Sequence, residues 1–249
     1  GDYDISPNNK LMAYGLDTLS RRIYQIKIKD LSNEKVYDEV LENTTGSMVW
    51  ANDNKTIFYT KQDQKTLRSY QIYSHQIGTS QDEDILIYEE EDETFYCYVY
   101  KSKSEKFIII NSSSTLSDEY RLIPSDQPLS TPQIFQPRIK GLEYSIYHKD
   151  QQFYVLTNED HHNFSLKICD INNTSKENWK TYINGKDEVL IEGIDVFDDF
   201  LVITEREKGI LNLKVMDIKS TESHYISFNE QSYVFQTSAN LLMNTNKLI

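Results

Sequence analysis

The segment TNEDHHNFSL, residues 157–166, sets two imidazoles, His161 and His162, beside two carboxylates, Glu159 and Asp160. Imidazole and carboxylate together ligate divalent transition metals or relay protons. Neighbouring residues of an extended strand point to opposite faces, however, so an adjacent pair is poorly placed to chelate. The other histidines, His75, His148 and His224, are remote. No two histidines lie four apart, which removes the helical His-Glu-x-x-His zinc arrangement. The segment also falls between two strand-like stretches, where a hairpin loop belongs. The expectation is a loop, with no metal and no cofactor.

A second concentration of charge is YEEEDETF, residues 88–95, which contains Glu89, Glu90, Glu91, Asp92 and Glu93. Paired carboxylates hold calcium or carry out glycoside chemistry. This run lacks the alternating ligand spacing and the turn glycine of a calcium loop, and a charge run of this length reads first as a solvated turn. Arg21 and Arg22 in TLSRR stand out in a chain this acidic, and Arg138 in QPRIKG is a weaker case. Their plain reading is solvated loops. Their functional reading is carboxylate pairing across an interface, which suits the rigid guanidinium fork. The two cysteines, Cys97 and Cys169, make neither a disulfide framework nor a structural zinc site. Cys169 sits inside a repeated strand phrase and reads as a small strand residue; the pair fits a reducing compartment.

Several chemistries are absent by glycine spacing. The eight glycines stand at 1, 15, 46, 78, 141, 185, 193 and 209. No two are four apart, so the Gly-x-Ser-x-Gly nucleophile elbow is missing. None are five or two apart, which removes the phosphate-binding and dinucleotide-binding loops. The net charge of −13 argues against nucleic acid, which needs clustered Lys and Arg, and suits cationic ligands. No apolar run approaches a membrane span. The chain opens without Met, as expected of a processed or truncated start.

The elements that would carry these residues repeat. YQIKIKDL (24–31), FSLKICDI (164–171) and LNLKVMDI (211–218) share one pattern, with weaker copies beginning at Tyr70 and Tyr120. Tyr24, Ile26 and Ile28 alternate with polar residues, as do Phe164, Leu166, Ile168 and Leu211, Leu213, Val215; this is the period of a half-buried strand. Asp30, Asp170 and Asp217 end their strands, where a short carboxylate starts a turn. The five starts at 24, 70, 120, 164 and 211 are spaced by about 44 to 50 residues. An apolar stretch precedes each copy (LMAYGLD, TIFYTKQ, KFIIINSS, QFYVLTNE and FLVITERE). Others lie further upstream (SMVWAND, TFYCYVY and YSIYHK) or downstream (EKVYDEV, DILIYEE, WKTYING and SHYISF). Four short antiparallel strands per unit at this period predict an all-β fold, a β-propeller of four-stranded blades. About five blades fit between residues 1 and 249, with the first lacking its innermost strand unless residues 1–6 supply it. The expectation is a partial propeller, incomplete at both ends.

These same stretches carry a resemblance. DISPNNKLMAYGLDTLSRRIYQIKIKDL and MVWANDNKTIFYTKQDQKTLRSYQIYSHQIGTSQDEDILIYEEEDETFY resemble the propeller of the oligopeptidase B (protease II) group, in the prolyl oligopeptidase family of serine peptidases. QPRIKGLEYSIYHKDQQFYVLTNED and LIEGIDVFDDFLVITEREKGILNLKVMDI continue the resemblance in order, over essentially the whole chain. It implies a seven-bladed propeller covering a C-terminal α/β-hydrolase domain whose Ser-Asp-His triad cleaves short peptides after Lys or Arg. It also implies that the hydrolase domain is missing from these 249 residues, that the fragment is inactive by itself, and that the parent is cytoplasmic, with the periplasm left open. On this resemblance Arg22 would bridge to the hydrolase domain. The Glu89–Glu90 carboxylates would attract basic peptides or dock that domain. The alternative is a stand-alone propeller that binds a partner protein, since one fold hosts many functions. A propeller glycosidase is a third class, for which no catalytic carboxylates can be assigned.

Overall fold

The second strand of each repeat is nearly uninterrupted in apolar residues, as in TIFYT, FIII, FYVL and FLVI, and this decides where the chain buries its core. A strand covered on one face alternates; a strand covered on both does not. In the computed structural model, which describes residues 1–228, 230 and 233–249, nineteen strands and two short 3₁₀ turns form among the described residues. They fall into two units, Gly1–Pro137 and Arg138–Ile249.

The first unit holds three four-stranded sets. The first comprises β1 (Tyr3–Ile5), β2 (Leu11–Leu16), β3 (Tyr24–Asp30) and the start of β4 (Val36–Trp50). Residues 1–6 therefore do supply the innermost strand, with Tyr3 opposite Tyr14. The second set takes the end of β4 together with β5 (Thr56–Gln62), β6 (Ser69–Gln76) and β7 (Ile85–Glu89). Because β4 runs through both, the two sets read as one seven-stranded sheet in the order β1 to β7. Its early part pairs with β3 (Leu41 opposite Ile26), and its late part pairs with β5 (Val49 opposite Phe58). Gly46 sits at the changeover with φ +80°, and a Cβ there would lie 2.7 Å from the Tyr24 ring. A larger residue is excluded both by that ring and by the left-handed backbone. The third set is β8 (Tyr96–Lys101), β9 (Phe107–Ser113), β10 (Asp118–Pro124) and the two-residue β11 (Gln133–Ile134).

The second unit holds two sets. One is β12 (Tyr144–Lys149), β13 (Gln152–Thr157), β14 (Ser165–Asp170) and β15 (Lys180–Ile183). The other is β16 (Val189–Val196), β17 (Phe200–Glu207), β18 (Ile210–Asp217) and β19 (Ser223–Tyr225). All pairs are antiparallel and sequential. Residues 233–249 form no strand. Met243, Phe235 and Leu248 nevertheless pack onto the apolar clusters of this unit, and Asp198 N–H donates to the Met243 carbonyl at 3.0 Å.

Within each unit the core lies between successive sets. Met48, Trp50, Ile57 and Tyr59 join Ile26, Ile28 and Leu41 on one side; Val49, Phe58 and Ile72 join Cys97, Val99, Ile108 and Ile110 on the other. Leu156 and Leu166 meet Ile191, Ile194 and Leu201 in the second unit. A four-stranded sheet with two apolar faces is stable only when both are covered by neighbours. Outer strands β11 and β19 are exposed throughout. The period-two expectation fails on β14, where Ser165, Leu166, Lys167 and Cys169 are all buried. Phe164, expected to open that strand, precedes it with φ +64°. The three terminal aspartates do start turns. Asp30 accepts from Ser32 N–H at 2.8 Å, Asp170 from Asn172 N–H at 2.8 Å, and Asp217 from Ser220 N–H at 2.7 Å. Hydrogen bonds from the Ser32 hydroxyl and amide hold Asp30 below the ordinary carboxylate range, as the Ser220 amide and hydroxyl do for Asp217.

Candidate functional site

In a four-stranded antiparallel meander, the loop between strands two and three leaves at the same end as the connection from strand four to the next set. Every residue singled out from the sequence for binding lies at that end of its own set, or within a residue of it. Arg21 and Arg22 are in the β2–β3 loop, Glu89 and Glu90 close β7, Arg138 is in the β11–β12 connection, and His161 and His162 are in the β13–β14 loop.

The β2–β3 loop is shaped by Asp17, whose carboxylate accepts the N–H groups of Leu19 at 3.0 Å and Arg22 at 2.7 Å. Slight desolvation acts to raise Asp17, but the surrounding N–H groups outweigh it and hold it below its ordinary value. Ser20 and Arg22 take positive φ, and the Gln62 side-chain amide donates to the Arg22 carbonyl. Both arginine side chains are exposed, and neither has an ion-pair partner among the described residues. Arg138 is half-buried.

The acidic run is not a uniformly solvated turn. Glu89 is exposed and accepts from the Gln71 amide at 3.0 Å. Glu90 is 4% exposed. Its Oε2 accepts the Tyr88 hydroxyl at 2.7 Å and the Ser112 hydroxyl, and its Oε1 accepts Asp92 N–H at 3.0 Å. Arg68 clamps the backbone from outside. Its Nε donates to the Phe95 carbonyl at 2.8 Å, and its Nη2 donates to the carbonyls of Glu90 and Asp92, each at 2.7 Å. The Arg121 guanidinium lies 3.9 Å from the Tyr88 ring centre and pairs with Glu119 at 2.7 Å. Burial, then the bond to Glu90, pushes the Tyr88 hydroxyl up to about 12. Burial beside the same carboxylate pushes the Cys97 thiol up to about 12. Glu90 thus fixes the loop, while Glu91, Asp92 and Glu93 are presented to solvent. Arg68, Ser112 and Arg121 are not legible from the sequence, because nothing local marks them as partners of a run in another part of the chain.

The four residues Glu159 to His162 separate into two groups. Glu159 and Asp160 turn to Lys167, which is 6% exposed: its ammonium pairs with Glu159 and lies 3.0 Å from Asp160. Lys176 adds a second contact to Glu159 at 3.0 Å. Desolvation alone would raise both carboxyls; the Lys167 hydrogen bond to Glu159 and the Ser165 and Lys167 hydrogen bonds to Asp160 outweigh it and hold both low. Desolvation acts to lower Lys167, and the same two carboxylates reverse this and raise it. The histidines instead stack on one side of the loop, ring centres 4.7 Å apart, and His161 Nε2 meets Asp187 at 3.2 Å. The opposite-face argument does not apply, because residues 161–164 are turn rather than strand.

Replacing Lys167 with Met tests the first group. Depressed carboxyls stabilise the fold above their unfolded values, 4.5 for Glu159 and 3.8 for Asp160, and lose that contribution as pH falls through the lower folded values. The raised Lys167 contributes fully below 10.5 and loses its contribution above the folded value. Lys167→Met should therefore cost about 1–2 kcal/mol at neutral pH, between the exposed-pair and buried-pair limits. Urea titrations should show the gap to wild type closing in acid.

His75 is wholly buried, and its Nδ1 lies 2.6 Å from Asp84. Asp84 also accepts the Tyr59 hydroxyl at 2.7 Å. Burial and that bond raise the Tyr59 hydroxyl far above its ordinary value. The 3₁₀ turn Gln81–Glu83, closed by reciprocal Ser80 and Glu83 caps, delivers Asp84 to the imidazole. An imidazole oriented by a carboxylate is two-thirds of a nucleophilic triad. Here, however, Nε2 faces Glu39 at 3.6 Å rather than a hydroxyl or thiol, and no solvent reaches it. Both cysteines are buried, with thiols pushed up to about 12, chiefly by desolvation. Among the described residues no nucleophile is activated; the geometry presents charged loops on a rigid scaffold.

The family model for the prolyl oligopeptidase N-terminal β-propeller domain matches residues 1–247. Dipeptidyl aminopeptidase BI of Pseudoxanthomonas mexicana is 35% identical over 241 residues, covering 96% of this chain and 33% of that protein. Protease 2 of Moraxella lacunata is 34% identical over 229 residues, covering 91% of this chain and 32% of that protein. Oligopeptidase B from Trypanosoma brucei superposes with a TM-score of 0.87 at 25% identity, over 100% of this chain and 36% of that one. Oligopeptidase B from Leishmania major gives 0.91 at 24%, which bears on the fold alone. The chain spans about a third of the length of the relatives it matches. Its strand order, its repeat and these matches place it in the prolyl oligopeptidase family, as an N-terminal β-propeller domain of the oligopeptidase B type.

Proposed function

We propose that this propeller is the gating and substrate-filtering domain of a serine oligopeptidase that hydrolyses short peptides after Lys or Arg. The observation that carries the reading is the match over nearly the whole chain to relatives that are peptidases and three times as long. The propeller's partner is then a C-terminal α/β-hydrolase domain that supplies the nucleophile, and the 249 residues alone hydrolyse nothing. Closure over the hydrolase excludes water and folded proteins and completes the site, as lids do. Exposed Arg21 and Arg22 are suited to pairing with carboxylates of that domain, with Arg138 as a further contact. Glu89, with Glu91 and Glu93, offers charge to cationic peptides, and Glu90 acts indirectly by holding their loop. The two free, buried cysteines suit a cytoplasmic protein.

The test is the full-length polypeptide assayed on chromogenic peptides ending in Arg, Lys or a neutral residue. Cleavage confined to the basic peptides is expected. For a dibasic substrate, kcat/KM should fall at least roughly threefold from low to high salt, because a net charge of −13 attracts cations through a screened field. Indifference to the basic residue rejects the specificity, and indifference to salt rejects the steering.

A further inference from the structure

The two histidines that turn away from Glu159 and Asp160 meet a carboxylate from elsewhere in the chain. His161, His162 and Asp187 each offer a ligand atom, and all three atoms lie within 4.8 Å of one another. Asp187 belongs to the β15–β16 connection, so the cluster joins two loops of the second unit. We propose that it binds one divalent transition-metal ion of the zinc class.

The backbone holds the two loops together independently of any ion. The Asn163 side-chain amide donates to the carbonyls of Lys186 at 3.0 Å and Asp187 at 2.8 Å, and Ile191 N–H donates to the Asn163 carbonyl at 3.1 Å. His161 lies against Gly185, where a Cβ would come within 2.4 Å of the histidine Cβ. Glycine at 185 is what lets the imidazole reach Asp187. Ligands at zinc distances stand about 3.4 Å apart around a tetrahedral ion. His161 Nε2 and Asp187 already stand at 3.2 Å. The remaining closure falls to His162 and Asp187, both exposed and free to change rotamer.

The donor set selects the ion. Two imidazoles and one carboxylate suit zinc, cobalt, nickel or copper, whereas calcium and magnesium take all-oxygen shells. Three protein ligands leave a position for water. Asn163 N–H donates to His161 Nδ1 at 3.1 Å, which places the imidazole proton on Nε2, facing Asp187. Ligation through Nε2 moves that proton to Nδ1 and gives up the Asn163 contact. The ion replaces the hydrogen bond to Asp187 and pins the β13–β14 loop to the β15–β16 connection.

The test uses the 249-residue chain, zinc chloride by isothermal titration and cobalt(II) by visible absorption, in a buffer that does not chelate. One equivalent is expected, with a cobalt spectrum of low coordination number. His162→Ala and Asp187→Asn should each weaken binding at least tenfold. Both side chains are exposed, so neither change threatens the fold, and circular dichroism checks this. His224→Ala, an exposed histidine on β19, should leave binding unchanged. Absence of a one-to-one isotherm, or equal binding by the His162→Ala, Asp187→Asn double variant, overturns the site.

Discussion

Replacing His75 with Ala is expected to destabilise the chain by about 3–5 kcal/mol, the cost of removing one partner from a buried polar set and leaving the others unsatisfied. With a domain of this size, that corresponds to a fall in Tm of about 6–20 °C. His75 has no exposed surface, and Asp84 approaches it at 2.6 Å. Removing the imidazole leaves Asp84 with only the Tyr59 hydroxyl, and leaves Glu39 with the Gly78 N–H at 2.7 Å. It also opens a cavity among well-packed strands, which adds to the loss. The set spans β4, β5, β6 and the 3₁₀ turn, so the damage should spread across the first two strand sets. A double-mutant cycle with Asp84→Ala measures the coupling. The two changes together should cost much less than their sum, because each orphans the other's partner. Simple additivity would show that the contact carries no energy.

Arg68→Ala is the second large effect, at about 2–4 kcal/mol, since hydrogen bonds from a charged donor are worth more than neutral ones and are not additive. One guanidinium serves three carbonyls, those of Glu90, Asp92 and Phe95. The loop between β7 and β8 is also held by the buried Glu90 carboxylate, the Glu90 N–H bond to the Tyr70 carbonyl at 2.8 Å, the Phe95 side chain and the Asp92–Thr94 turn at 2.9 Å. Without Arg68 the loop should open locally before the strands do, and limited proteolysis should cut within residues 91–95. Lys at 68 keeps the charge but not the fork, and should recover only part of the loss. Protection of the loop in Arg68→Ala equal to wild type would mean that the other anchors hold it without Arg68.

The architecture was legible because strand, turn and breaker recur at one period. The copies predicted to start at 24, 70, 120, 164 and 211 begin within two residues of strands at Tyr24, Ser69, Asp118, Ser165 and Ile210. β16 and β11 carry no such signal. Glu192 and Gly193 interrupt the apolar pattern of β16, and a two-residue strand has no pattern at all. The position of each candidate loop was also legible, since loops follow from strand boundaries. Partnership was not. Lys167 reads as the polar side of an alternating strand, yet it is buried between two acids. Asp187 is one acid among many in a chain with 39, and only the fold brings it to His161. Glu90 differs from its neighbours in burial, a property set by Tyr88 within the run and Ser112 from β9.

The uninterrupted run of β4 through two sheets has a consequence for how such a chain can be rearranged. Arrays of repeats grow and shrink by duplication or loss of whole modules, which needs a severable joint at each border. At Gly46 no loop separates them: the outermost strand of one module passes through a single left-handed residue into the innermost strand of the next. Modules one and two should be inherited, swapped or deleted only as a pair, and engineered permutations should cut the chain elsewhere.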